Sequence, residues 1–333
     1  MLSTVACKNH QDKPVVKEQW IQTELQDIQD WFNAWELVST DLLKIGEHKP
    51  PVMLFFDKEF LFTNSDKEIG NGVKINGPDF FGKKLPWTKI KHNDTIQIPT
   101  GQKLPIGLLS FAVPIDKKEN KPFFVMALPS YWESKKVVSK KLGNKNFYTS
   151  IFLHEFAHTQ QSNNFGKQLD KFARTYNFEN NLNDDMIQRE FAKNSFYVSN
   201  LKSEIDIFYK AYWSKDTSDL KQLVKEGLRM YKQRQKRYFT GKKEIYKDLD
   251  NFFLTMEGIG QYVAFYWLTS KEGANLSAIT AIEGLRRNKD NWAQEESLAL
   301  FLIYTKITNP DLGKEMFENE LLNITNLIDQ RLE

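Results

Sequence analysis

The chain has 333 residues, 41% hydrophobic and 14% aromatic, enough to bury a large core without disulfides. Forty-six Lys and Arg stand against 43 Asp and Glu, a formal charge of +3, and the two signs interleave, which speaks against the one-sided basic face of a nucleic-acid binder. The single cysteine, Cys7, excludes an internal disulfide framework.

From the N-terminus, residues 1–7 read as the tail of a bacterial lipoprotein signal, with small residues before a cysteine that would receive lipid. A polar, tether-like stretch follows through residue 15. The basic start and apolar run of a complete signal are missing. Two readings stay open: the start lies inside the signal and the protein is lipid-anchored in the cell envelope, or the protein is cytoplasmic and the cysteine is incidental. No window elsewhere reaches the roughly 18 apolar residues of a spanning helix, so membrane attachment would run through Cys7 alone.

Residues 16–46 place Trp20, Leu25, Ile28, Trp31, Trp35, Val38 and Leu42 at helical spacing. Between 50 and 130 the texture changes to short apolar runs at 52–56, 95–98, 108–115 and 123–128, broken by Gly, Pro, Asn and Asp, which predicts the strands of a small sheet. After Gly143 the pattern is helical near 146–162, 184–213, 217–238, 244–270, 275–287, 292–306 and 311–331. The expected class is α+β and predominantly helical, a small mostly antiparallel sheet packed on the 146–162 helix and followed by a large helical layer. The expected parts are a tether (1–15), the helix, sheet and candidate-site helix (16–165), and a helical part (166–333).

The chemistry concentrates in His154-Glu155-Phe156-Ala157-His158. Positions four apart on a helix lie one turn above each other, so His154 and His158 can offer both imidazoles to one ion. Tetrahedral zinc accepts neutral imidazole, and a catalytic zinc uses three protein ligands and leaves the fourth place to water. Glu155 is then the candidate general base, taking a proton from that water and passing it to a leaving amine. The apolar flanks Ile151, Phe152, Leu153, Phe156 and Ala157 would bury one side of this helix, as a cleft-forming helix requires. No His follows His158, so the third ligand should be a carboxylate. The best candidate is Glu257, an acid in a long apolar helix where an unpaired carboxylate would be costly, next to Gly258 and Gly260, which permit close backbone approach. Glu190 and Glu204 are the reserve ligands. Tyr262 is the candidate phenol for stabilising an oxyanion, although five residues from Glu257 it can face away.

The pairing of Leu-His-Glu-Phe-Ala-His-Thr-Gln-Gln with a later Glu-Gly-x-x-x-Tyr resembles the gluzincin side of the zincins. More narrowly it is similar to bacterial zinc metallopeptidase-like proteins with a Glu-Gly-Leu-Ala-Glu-Tyr-type second helix. The resemblance covers about residues 120 to 305 and is strong only at these motifs. It implies one zinc ion held by His154, His158 and Glu257, with Glu155 as base. This chain has Gln261 where an acid is common, and the longer spacing between motifs implies a helical insertion from about 166 to 245. Arg234 and Arg237 then read either as contacts to a substrate carboxylate or as a solvated helix face. Residues 121–128 read either as an edge strand to which an extended peptide could add, or as an interior strand. The expected function is a zinc-dependent hydrolase acting on peptide or protein substrates. The alternative is a lipid-anchored envelope binding protein that keeps the scaffold without hydrolysis.

Overall fold

A computed structural model describes residues 16–65, 71–116, 121–176, 182–318 and 321–332. Cys7 and the expected tether lie outside the described residues.

Helix α1 (Val16–Leu37) runs on into a π-turn (Val38–Leu42). It buries Ile28, Trp31, Phe32, Trp35 and Val38, a stripe at intervals of three and four that faces the sheet. Among the described residues ten strands follow: β1 (Val52–Phe56), β2 (Phe60–Thr63), β3 (Gly72–Ile75), β4 (Asp79–Phe80), β5 (Lys83–Lys84), β6 (Trp87–Lys91), β7 (Thr95–Gln97), β8 (Lys103–Pro105), β9 (Ser110–Asp116) and β10 (Lys121–Ala127). Six of them form one sheet in the order β3-β6-β2-β1-β10-β9. The β1 and β10 pair is parallel, with Val52 opposite Phe123 and Phe56 opposite Ala127, and the other four pairings are antiparallel. Both central strands are nearly continuous apolar runs, as strands covered on both faces must be. The 95–98 strand falls outside this sheet, since β7 pairs only with β8 in a separate ribbon. Residues 121–128 take the interior of the two readings, because β10 lies between β1 and β9, and β9 is the edge.

The helices are α2 (Pro129–Ser134), α3 (Asn144–Gln160), α4 (Lys167–Tyr176), α5 (Met186–Phe191), α6 (Ser195–Trp213), α7 (Thr217–Tyr238), α8 (Tyr246–Thr269), α9 (Ala278–Leu285), α10 (Trp292–Ile307), α11 (Leu312–Phe317) and α12 (Ile324–Leu332). Two expected long helices are broken. The 184–213 segment divides before α6, where the Asn194 side chain accepts from the Tyr197 backbone N–H at 3.1 Å and so starts a new helix. The 311–331 segment divides between α11 and α12. The class is α+β with helix predominating, and α3 joins the two layers. Its Phe152 and Phe156 pack on Phe124 of β10 at ring separations of 5.5 and 5.4 Å, and Phe152 stacks on Trp31 at 5.3 Å. Its other side faces α8, which is itself covered by α10.

Candidate metal centre

His154 and His158 project from α3 toward α8, and Glu257 projects from α8 toward them. Two glycines let these helices close. A β-carbon on Gly260 would stand 2.8 Å from His154 Nδ1 and 3.1 Å from the His154 carbonyl oxygen. One on Gly258 would stand 2.4 Å from the Phe301 ring of α10. The bare α8 backbone therefore sits against the first histidine on one side and against α10 on the other.

His154 Nε2 lies 3.0 Å from Glu257 Oε2, His158 Nε2 lies 3.6 Å from Glu257 Oε1, and the two Nε2 atoms are 3.3 Å apart. Ligand atoms about 2.0–2.1 Å from a tetrahedral zinc stand roughly 3.3–3.5 Å from one another; the observed 3.0–3.6 Å, measured to the two different oxygens of Glu257, fall around that range. The group is buried, with His154 3% and Glu257 4% exposed, and could hold a metal ion. His158, whose side chain is 13% exposed, and Glu155 are its more accessible members.

Hydrogen bonding prepares one ring for this role. The Gln161 side-chain oxygen lies 2.7 Å from His158 Nδ1 and accepts its proton, which leaves Nε2 with a free lone pair in the neutral ring. His154 Nδ1 is buried beside Gly260 and has no hydrogen-bond partner among the described residues. Burial pushes the His154 imidazole below its usual pKa and toward the neutral form that a cation needs, against the pull of Glu257. For Glu257 burial acts upward, but the neighbouring His158 and His154 rings outweigh it and hold the carboxyl below its usual range. The Glu155 carboxyl is pushed up to about 8, first by burial and then by the charge of Glu257, with Arg287 opposing.

The structure brings together His154, Glu155, His158 and Glu257, and it places the other expected residues elsewhere. Glu204 is fully buried in a separate cluster, paired with Arg234 at 3.0 Å. Glu190 bridges Lys243 at the surface. Tyr262 turns toward α10, where its ring lies 6.3 Å from Phe301 and its phenol meets Thr305. The angular step of five helical residues accounts for that direction. Arg234 fits neither expectation, being 2% exposed and enclosed by Glu204, Asp250 and Glu296. Arg237 lies over the Tyr238 ring at 5.3 Å.

Three residues near the group carry no signal that spacing could supply. Gln294 of α10 donates to Glu257 Oε2 at 3.4 Å and accepts from Gln261 Nε2 at 3.0 Å. Gln261 therefore acts on Glu257 through Gln294. Asp184 is close enough to sense Glu257, Glu155 and His158, and its carboxyl is pushed up to about 7, mainly by burial. Arg287 senses Glu155 and His154 from the turn after α9. Comparison with known proteins finds no matching family model, curated protein or solved structure.

Proposed function

We propose that this protein is a zinc-dependent hydrolase of peptide bonds. The observation that carries the reading is the convergence of two imidazole nitrogens and one carboxylate within 3.0–3.6 Å of one another, with Glu155 beside them. His154, His158 and Glu257 would hold the ion, and Gln161 and Gln294 would orient His158 and Glu257. Bound there, zinc supplies Lewis acidity that polarises a carbonyl and acidifies water.

Glu155 takes a proton from the attacking water and delivers it to the leaving nitrogen as the C–N bond breaks and the hydroxyl joins the carbonyl carbon. Its high proton affinity suits both halves of that transfer. The two positive charges of a bound ion would lower it toward neutrality. The burial of His154 and Glu257 keeps bulk water from competing for the donor atoms and directs access past His158 and Glu155.

Glu155→Gln tests the reading. The variant should bind zinc as the parent does yet lose peptide hydrolysis by about 10²- to 10⁴-fold, the usual contribution of a positioned acid–base group. Equal cleavage by both proteins would refute the role of Glu155. A parent that binds zinc and cleaves no peptide library would favour a binding protein built on the same scaffold.

A further inference from the structure

The turn after α9 carries two adjacent arginines whose surroundings differ. Arg286 faces α6 and α10: its Nε donates to Glu295 at 2.9 Å, Asp206 lies 3.9 Å away, and the guanidinium covers the Tyr209 ring at 4.2 Å. Arg287 turns the other way, to stand 5.6 Å from the centroid of Phe147 on α3. Among the described residues no carboxylate lies within 4.0 Å of Arg287 and none accepts a hydrogen bond from it, although the side chain is only partly exposed. A guanidinium cannot discharge itself, so a half-buried one that feels Glu155 only at a distance, with no carboxylate in contact, favours the arrival of an anion.

The placement of this cation is fixed. A β-carbon on Gly284 would stand 2.3 Å from Leu142, and Lys141 bridges Glu283 at 2.6 Å, so α9 is docked on the segment that opens α3. The Arg287 backbone has φ +41°, a conformation that side-chain-bearing residues rarely adopt and that concentrates at functional positions.

Phe147 precedes His154 by seven residues, which is two helical turns, nearly the same face of α3 and about 10 Å along the axis. The histidine side chains lean back toward the helix N-terminus, which shortens the gap. At roughly 3.3–3.6 Å per residue, one to three residues of extended peptide span it. Glu155 lies on the same side and interacts electrostatically with Arg287. Since Glu155 delivers the proton to the leaving nitrogen, Arg287 stands on the side of the leaving segment.

We propose that Arg287 receives the terminal carboxylate of that leaving segment, so that the site releases one to three residues from the free C-terminus of a peptide. This rests on the zinc hydrolase reading above. The planar guanidinium grips a carboxylate through two parallel hydrogen bonds, and Phe147 holds its face. An internal acidic side chain offers the same chemistry from another source.

Binding to the zinc-loaded Glu155→Gln protein, measured by calorimetry, separates these cases. The probes are short N-acylated peptides with a free C-terminus, the same peptides amidated, and amidated peptides with an internal Asp or Glu. The free acid should bind about 10- to 100-fold tighter than its amide. Adding Arg287→Gln should reduce the ratio to within about threefold, and adding Arg287→Lys should leave a partial preference because one ammonium cannot reproduce the two-pronged grip. Zinc content, measured on the same samples, should stay at one per chain. Equal binding of acid and amide, a preference that survives Arg287→Gln, or equal affinity for the internally acidic amide would each overturn the proposal while leaving the hydrolase reading standing. Absence of zinc would overturn both.

Discussion

The residue that sets how near α8 comes to His154 is Gly260. Its missing β-carbon would stand 2.8 Å from Nδ1, 3.0 Å from Cε1 and 3.1 Å from the carbonyl oxygen of His154. Part of that obstacle is backbone, so no rotamer change relieves it. Gly260→Ala should push α8 away from α3, cost about 1–3 kcal/mol as an overpacked core does, and weaken zinc binding at least about tenfold. Gly258→Ala is the control, since its added carbon meets Phe301 and Ser297 of α10, so it should lower stability with a smaller effect on zinc. Thermal melts and zinc titrations of both variants check this, and equal zinc affinity for Gly260→Ala and parent would refute it. At this scale much was legible in the sequence. His154 and His158 stand four residues apart with Glu155 next to the first, and Glu257 stood out as an acid in an apolar helix. Gln294, Asp184 and Arg287 were not legible, because nothing local marks a polar residue that approaches the group only after α5, α9 and α10 have packed.

Among the elements, α6, α7, α8 and α10 meet around one buried cation. Arg234 makes paired contacts of 3.0 Å with Glu204, contacts Asp250 at 3.1 Å and Glu296 at 3.2 Å, and donates to the Tyr197 hydroxyl at 2.8 Å. Burial raises the Glu296 and Asp250 carboxyls above their usual range, and Arg234 opposes it. The folded protein therefore keeps protons that the unfolded chain releases above roughly pH 4. The stabilising contribution of these two groups is complete below that pH and falls as the pH rises toward their folded values. Arg234→Met removes the opposing charge. It should destabilise the protein by about 3–5 kcal/mol near neutrality, and by less at pH 5, where the stranded acids can be protonated. Urea denaturation at pH 5 and pH 8 reads the difference, and a deficit independent of pH would contradict it. The sequence showed α7 over its full length, yet it left Arg234 between a solvated face and a substrate contact, since the identity of a helix face depends on which neighbours cover it. The break before α6 was hidden for a related reason. Apolar periodicity resumes across it, and only the Asn194 cap marks the restart.

Across the whole molecule, the helical C-terminal half was visible from periodicity, whereas of the six-stranded sheet only β1, β10 and the edge strand β9 were visible. Strands β1 and β10 are continuous apolar runs, but β3 is mostly exposed and β6 buries only Trp87 and Ile90, so the pairing of β6 with β2 and β3 comes from tertiary context. The parallel register of β1 and β10 is equally non-local, since 64 residues separate the two strands: their paired residues Val52 and Phe123 are 71 apart. This sheet supports the outer face of α3, the helical layer supports α8, and the candidate ion would tie the two helices together. Zinc analysis by mass spectrometry, on the parent and on Glu257→Ala prepared without chelators, tests that central claim most directly. The account predicts close to one zinc per chain in the parent and near none in the variant. A zinc-free parent, or a variant that keeps its full complement, would contradict it.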